Sequence, residues 1–195
     1  HVRSRRQRQM CIRDRWEGIT AARFRQDVVS LAKGLIAAGI RPKDRVGIMS
    51  RTRYEWAVAD FAIMYAGAVT VPVYETSSPS QVAWNLGDSG ATAVIVESRQ
   101  HAAAVRRAAQ HEELNVENVW QIDAKDSDKD SLASLRALGS DVDDETLEAA
   151  RTSSGLEDMA TIIYTSGTTG RPKGCVLTHA NFVKLCASAR QAIPE

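Results

Sequence analysis

A segment near the C-terminal end, residues 165–174, combines hydroxyl residues, glycines and one lysine directly after an apolar run. Glycines allow positive φ angles, so successive backbone N–H groups can point into one concavity that suits an anion. Hydroxyl groups add hydrogen-bond donors, and a lysine adds a mobile positive charge. We therefore predict a loop that binds a polyphosphate. The predicted binding residues are Thr165, Ser166, Gly167, Thr168, Thr169, Gly170 and Lys173, and Lys173 has the added role of stabilising phosphate charge.

The spacing of these residues excludes two familiar phosphate-binding motifs. A Walker A loop requires a second glycine five positions after the first, and Pro172 and Cys175 stand at those positions. The dinucleotide-binding fingerprint requires a glycine where this sequence has Thr169, and it opens a helix. Residues 175–177 instead have the pattern of a short strand. The loop is therefore predicted to connect two strands.

Strand-like and helix-like apolar patterns alternate along the chain, which predicts an α/β fold with a mostly parallel sheet flanked by helices. A continuous apolar run at 93–96 is typical of a strand buried on both faces. The predicted strands cover residues 45–49, 69–73, 93–96, 116–122, 162–164 and 175–177, and the predicted helices cover residues 20–39, 53–66, 78–86, 101–111, 146–150 and 179–193.

Four details of packing follow from the same patterns. Thr20 is the predicted N-cap of the first helix. Pro72 places its strand near a sheet edge or close to a strand end, because proline lacks an N–H donor. In the last helix Leu185 is expected to face the core, as is Ala189. Cys175 and Cys186 are expected to be small core residues.

Charge is distributed unevenly along the 195 residues, whose formal net charge is +1. Residues 1–15 contain six arginines and one aspartate, which leaves 19 basic and 23 acidic residues in 16–195. A basic arm can bind nucleic acid, but aromatic residues do not interleave with these arginines. Residues 1–15 resemble translated sequencing-adapter sequence, so they are predicted to be a non-native extension. No nucleic-acid partner is predicted.

The composition of the sequence gives no sign of a disulfide-bonded, metal-binding, membrane-spanning or secreted protein. The sequence has three cysteines, an odd number, and they lack the spacing of a metal or redox motif. These cysteines favour a reducing compartment. No metal site is predicted, because the four histidines are also scattered. The sequence has neither an apolar run long enough for a transmembrane segment nor the apolar core of a secretion signal. We predict a cytoplasmic protein, and a peripheral contact with a membrane stays open.

The loop resembles the phosphate loop of the adenylate-forming, or AMP-binding, superfamily, which includes acyl-CoA synthetases, luciferases and peptide-synthetase adenylation domains. Ten consecutive positions, 165–174, carry this likeness. Residues 53–56 and 71–78 resemble the long-chain fatty-acyl-CoA synthetase branch, and Gln81 and residues 88–90 continue it. Lys43 departs from the family pattern, which usually has glycine there.

The resemblance implies the function of a long-chain fatty acid–CoA ligase that forms AMP. Such an enzyme takes a fatty acid, ATP with Mg²⁺, and CoA as its substrates and cofactors. Residues 16–195 would form the N-terminal portion of the large adenylating domain, truncated after the phosphate loop. The resemblance places the adenine, ribose, acyl and CoA sites in the missing remainder of the chain. The 195-residue chain alone is therefore expected to be inactive as a synthetase.

Two other functions remain open at this point. One is an adenylating enzyme that loads a carrier protein instead of CoA. The other is a non-catalytic module that binds a nucleotide. Glu75 and His179 could be read as catalytic residues, but we interpret Glu75 as a solvated loop residue and His179 as part of the first turn of a helix.

Overall fold

The structure is a computed structural model that describes residues 7–12, 15–111, 114–165 and 171–192. The strands and helices within these ranges alternate along most of the chain, as predicted. In chain order they are β1 (Gln7–Ile12), β2 (Arg15–Thr20), α1 (Ala21–Ala37), β3 (Arg45–Met49), α2 (Tyr54–Tyr65), β4 (Val69–Val73), α3 (Pro79–Ser89), β5 (Ala91–Val96), α4 (Arg99–His111), β6 (Asn118–Gln121), α5 (Leu132–Leu138), α6 (Asp144–Arg151), β7 (Met159–Thr165), β8 (Lys173–Thr178) and α7 (His179–Ala192).

One six-stranded sheet organises the described chain, with the strand order β6-β5-β3-β4-β7-β8. Neighbouring strands from β6 to β7 are parallel, and β8 is antiparallel to β7. The predicted α/β fold with a mostly parallel sheet is therefore confirmed. Separately, β1 and β2 form an antiparallel pair that includes residues of the predicted extension. The boundary at residue 15 stays a prediction.

Helices cover both faces of the sheet because successive strand residues point to opposite faces. On the first face, α1, α2 and α5 pack against Ile48 of β3 and Ile95 of β5. On the second face, α3 and α4 pack against Met49 of β3 and Val94 of β5. All four of these strand side chains are almost fully inaccessible to solvent. The continuous apolar run in β5 is thus explained by burial on both faces.

Local capping signals in the sequence fix where two helices begin. The Thr20 side chain accepts a hydrogen bond from the backbone N–H of Arg23 at 3.1 Å, which confirms the predicted N-cap of α1. Ser78 is the N-cap of α3. Its backbone N–H donates to Gln81 Oε1 at 2.9 Å while its hydroxyl accepts from the Gln81 N–H, which completes a capping box. The start of α3 is therefore encoded within four residues.

The turn before β3 contains Lys43, the residue that departs from the pattern of the adenylate-forming superfamily. Lys43 has a φ angle of 72°, in the left-handed region that favours glycine. Its ammonium group lies 3.0 Å from Oδ1 of Asp158, just ahead of β7. A lysine at this position therefore combines a strained turn with a charged contact that glycine could not make.

Packing differs from the sequence prediction for the last helix and its neighbours. Leu185 is 66% exposed and Ala189 is also exposed, so the prediction that they face the core was wrong. Cys175 and Cys186 are exposed rather than buried. Periodicity identifies a helix, but it cannot say whether another element covers its apolar face. Within the described residues, α7 buries only Ala180.

Pro72 agrees with its prediction in part, and α5 is an element that the sequence analysis did not predict. Pro72 lies one residue before the end of β4, as predicted for a strand end, yet β4 is an interior strand of the sheet. Its pairing with β7 is centred on Thr70 and Thr161, two residues before Pro72. Helix α5 was missed because it is only seven residues long, and its burial depends on contact with α1.

The contact between α1 and α5 requires glycine at position 34. A Cβ atom at Gly34 would lie 2.3 Å from the carbonyl oxygen of Leu135. We expect Gly34→Ala to lower the free energy of unfolding by about 1–3 kcal/mol, because the backbone of α5 would have to move away. Urea unfolding followed by circular dichroism measures this difference.

Gly155→Ala is the matched control for this substitution. The nearest atom to a Cβ at Gly155 is Oδ2 of Asp158 at 3.7 Å, an ordinary contact distance. This variant is expected to stay within about 0.5 kcal/mol of the unmutated chain. Equal stability of the two variants would show that α1 and α5 do not pack as closely as described.

Candidate functional site

The antiparallel pair β7–β8 forms the two stems of the predicted phosphate loop. Thr165, the last residue of β7, pairs with Lys173, the first residue of β8, and both are exposed. Tyr164 pairs with Gly174 one step further from the loop. The predicted binding residues Ser166 to Gly170 lie outside the described residues. The structure thus brings together the first and last members of the predicted set, Thr165 and Lys173.

These stems lie at the carboxyl edge of the parallel strands. Because β4 and β7 are parallel, Thr165 and the segment that follows Val73 lie at the same edge of the sheet. Ligands of α/β proteins bind at this edge. A cavity of about 290 Å³ separates the two segments there, and it is lined by Tyr74, Ser77, Gln81, Asn85, Tyr164, Thr165 and Pro172.

Helix α3 contacts the C-terminal stem of the loop through one tryptophan. The indole Nε1–H of Trp84 donates a hydrogen bond to the carbonyl oxygen of Pro172 at 2.8 Å. The guanidinium carbon of Arg171 lies 4.6 Å from the centroid of the same indole ring, within the range of a cation–π contact. The sequence analysis missed Trp84, because its two contacts join residues far apart in the chain.

The N-terminal stem is held by the same helix. The hydroxyl of Tyr164 donates a hydrogen bond of 2.6 Å to Oδ2 of Asp88, one helical turn beyond Trp84. A Cβ atom at Gly174 would lie 3.2 Å from the Tyr164 ring, so the glycine allows the ring to lie across β8. Burial, and then the hydrogen bond to the Asp88 carboxylate, raises the pKa of Tyr164 above its ordinary value.

Asn85 lines the cavity and is, after Trp84, the second residue that the sequence analysis missed. It is only 6% exposed, and its Oδ1 has no hydrogen-bond partner among the described residues. Buried polar atoms in native proteins usually have a partner. The signal in the sequence was a polar residue between Ala83 and Leu86 on the buried face of α3.

A network of charged residues at the same edge braces the turn after β3. The carboxylate of Glu97 accepts hydrogen bonds from the Ser50 hydroxyl at 3.1 Å and the Arg51 backbone N–H at 3.0 Å. The Nε of Arg51 lies 3.1 Å from the other carboxylate oxygen. Arg53 is 2.6 Å from Glu55 and 2.8 Å from Asp123. These charges are compensated within the protein.

His179 and Glu75, the two other candidates for catalysis, lie at the start of a helix and in an exposed turn. The backbone N–H of His179 donates to the carbonyl oxygen of Asp158 at 3.1 Å, and α7 begins at His179, as predicted. Glu75 is exposed in the turn after β4.

In the described part of the chain, no three His, Cys, Asp or Glu residues are grouped so that they could hold a metal ion. No helix among those residues is long and apolar enough to span a membrane.

Comparison with known proteins identifies the family. A sequence model described as AMP-binding enzyme matches residues 1–194. The long-chain-fatty-acid–CoA ligase FadD15 of Mycobacterium bovis is 44% identical over 179 residues, which are 92% of this chain and 29% of that protein. A feruloyl-CoA synthase of an Amycolatopsis species is 34% identical over 170 residues, 87% of this chain and 30% of that protein. The chain belongs to the AMP-binding enzyme family.

Solved structures agree with this assignment. The ATP-bound structure of MatB from Rhodopseudomonas palustris has a TM-score of 0.70 at 26% identity, and the match covers 88% of this chain and 32% of MatB. A luciferase-like enzyme from the mealworm Zophobas morio has a TM-score of 0.77 at 17% identity over 92% of this chain and 40% of its own, which shows a shared fold. The chain spans about 29% of the length of FadD15.

The raised pKa of Tyr164 makes stability depend on pH in the alkaline range. The native state retains the Tyr164 proton at pH values where the unfolded chain has lost it, so the free energy of unfolding falls as pH rises above about 10. We expect a smaller fall in Tyr164→Phe, which has no proton to lose. Urea unfolding at several pH values from about 8 to 11 measures the slope.

Tyr74→Phe is the control, because Tyr74 is 72% exposed. This variant is expected to keep the slope of the unmutated chain. If Tyr164→Phe also keeps that slope, its hydroxyl is not held by Asp88 as described.

Proposed function

We propose that this chain supplies phosphate-binding residues to an enzyme that activates a fatty acid to an acyl-adenylate and then to an acyl-CoA. The observation that carries this proposal is the 44% identity to a long-chain-fatty-acid–CoA ligase over 92% of the chain. The position of Thr165 and Lys173 at the carboxyl edge of the sheet supports it. MatB, which is similar to this chain, has been solved with ATP bound.

In the proposed reaction, a carboxylate oxygen of the fatty acid attacks the α-phosphorus of ATP. The bond from the α-phosphorus to the bridging oxygen breaks, and pyrophosphate leaves with the extra negative charge. The thiolate of CoA then attacks the acyl carbonyl carbon and displaces AMP. We propose that Lys173 and the hydroxyl and N–H groups of residues 165–170 hold the β- and γ-phosphates. Donors that stabilise developing charge in this way contribute about 100-fold in rate each.

Magnesium enters the proposal as part of the substrate Mg-ATP. The described residues offer no cluster of three ligands that fits a resident metal ion. We therefore assign no protein ligand to Mg²⁺. A cytoplasmic location is proposed because Cys175 and Cys186 are both unpaired and exposed, which suits a reducing compartment. A peripheral contact with a membrane remains part of the hypothesis for an enzyme that takes a fatty acid.

Replacing Lys173 tests the proposed phosphate site. We expect Lys173→Ala to weaken the binding of Mg-ATP by about 10- to 100-fold, because a hydrogen bond to a charged group contributes about 1.5–3 kcal/mol. Isothermal titration calorimetry with the protein that the complete coding region specifies measures the affinity. Lys184→Ala is the matched control, since Lys184 is an exposed lysine on α7. Equal affinities of the two variants would contradict the assignment of Lys173.

The acyl acceptor and the acid are tested with the protein that the complete coding region specifies. Formation of the thioester is compared with CoA and with a phosphopantetheinylated carrier protein as acceptors, and with a long-chain fatty acid and ferulic acid as substrates. We expect fatty acyl-CoA to form fastest. Transfer to the carrier protein alone would favour the carrier-loading enzyme, and nucleotide binding without turnover of any acid would favour the non-catalytic module.

A further inference from the structure

Among the residues that the structure describes, the β7–β8 ladder gives Arg171 and Pro172 no strand partner. Its last pair is Thr165 with Lys173, so Arg171 and Pro172 lie between the ladder and the loop. Proline has no N–H and cannot extend the ladder as a donor. The carbonyl oxygen of Pro172 instead accepts the indole N–H of Trp84 at 2.8 Å. This bond joins the loop to α3 across 88 residues of sequence.

Trp84 is well placed to act as a fixed support. It is partly buried and packs against an apolar cluster formed by Val69, Val71, Ile162 and Tyr164. Its neighbours Ala83 and Leu86 are almost fully buried in the core beneath α3. The guanidinium carbon of Arg171 also lies over the indole ring, 4.6 Å from its centroid. One rigid side chain thus contacts two consecutive residues next to the loop.

We propose that Trp84 is a positioning residue for the phosphate loop. It holds Arg171 and Pro172 along one path, so that Lys173 begins β8 in a fixed direction relative to the bound phosphates. A loop that is ordered before the ligand arrives loses less conformational entropy on binding, and its affinity is higher. This inference rests on the proposed function, because it assigns to Trp84 an effect on a nucleotide that it does not touch.

The substitution Trp84→Phe isolates the hydrogen bond. Phenylalanine keeps an aromatic ring for the apolar cluster and for Arg171, but it cannot donate to Pro172. In the protein that the complete coding region specifies, the affinity for Mg-ATP is expected to fall about 3- to 10-fold in calorimetry, the effect of one neutral hydrogen bond. Hydrogen–deuterium exchange of peptides that span residues 171–176 is expected to become faster, while exchange in α1 and β3 is unchanged.

Trp56→Phe is the matched control for the same chemical change. Trp56 lies on α2 and packs against the core on the opposite face of the sheet. This variant is expected to keep both the nucleotide affinity and the exchange rates of residues 171–176. In addition, the indole ¹⁵N–H resonance that Trp84→Phe removes should shift when Mg-ATP is added to the unmutated chain, a response that a purely structural tryptophan would not give.

The outcomes separate this inference from the proposed function. If Trp84→Phe leaves exchange at residues 171–176 unchanged, Trp84 does not hold the stem and the inference is overturned. If exchange rises but the affinity for Mg-ATP is equal to that of the unmutated chain, Trp84 is structural only and the inference is again overturned. If the unmutated protein that the complete coding region specifies does not bind Mg-ATP, the nucleotide role proposed for the loop itself fails, together with the inference that depends on it.

Discussion

The position of β7 between a parallel and an antiparallel neighbour determines where the loop can act. Parallel pairing with β4 carries the end of β7 to the carboxyl edge, and a buried hydrogen bond of 2.9 Å from the Thr161 hydroxyl to the Thr70 carbonyl oxygen fixes this register. Antiparallel pairing with β8 then returns the chain directly opposite Thr165. A shift of one residue would turn Tyr164 to the other face of the sheet. The rest of the candidate site depends on this register.

Helix α3 links the strand that precedes it to the loop. Its capping box starts the helix five residues after β4, so the face that carries Trp84 and Asp88 is presented to β7 and β8. Apolar residues on its other side are buried with those of α4. The helix therefore has two functions in the fold, since it covers one face of the sheet and also holds both stems of the loop.

Features encoded over short distances could be predicted from the sequence. The N-cap at Thr20, the strand at 93–96 and the strand–loop–strand arrangement all depend on neighbouring residues, and the structure confirms them. The exposure of α7 and the presence of α5 depend on what packs against them. The bond from Trp84 to Pro172 depends on the complete sheet order. Such long-range contacts leave no periodic signal in a single sequence.

The basic residues at the carboxyl edge differ in whether an acidic residue of the protein already pairs with them. Arg51 lies against Glu97, and Arg53 bridges Glu55 and Asp123, so their charges are already compensated. Among the residues that the structure describes, Lys173 and Arg171 form no ion pair, and residues 166–170 of the loop contain no acidic residue. Within the described residues, the exposed Lys173 therefore has no ion-pair partner to lose when its ammonium group binds a polyphosphate. This difference in compensation separates Lys173 and Arg171 from Arg51 and Arg53, and it supports the proposal that Lys173 binds phosphate.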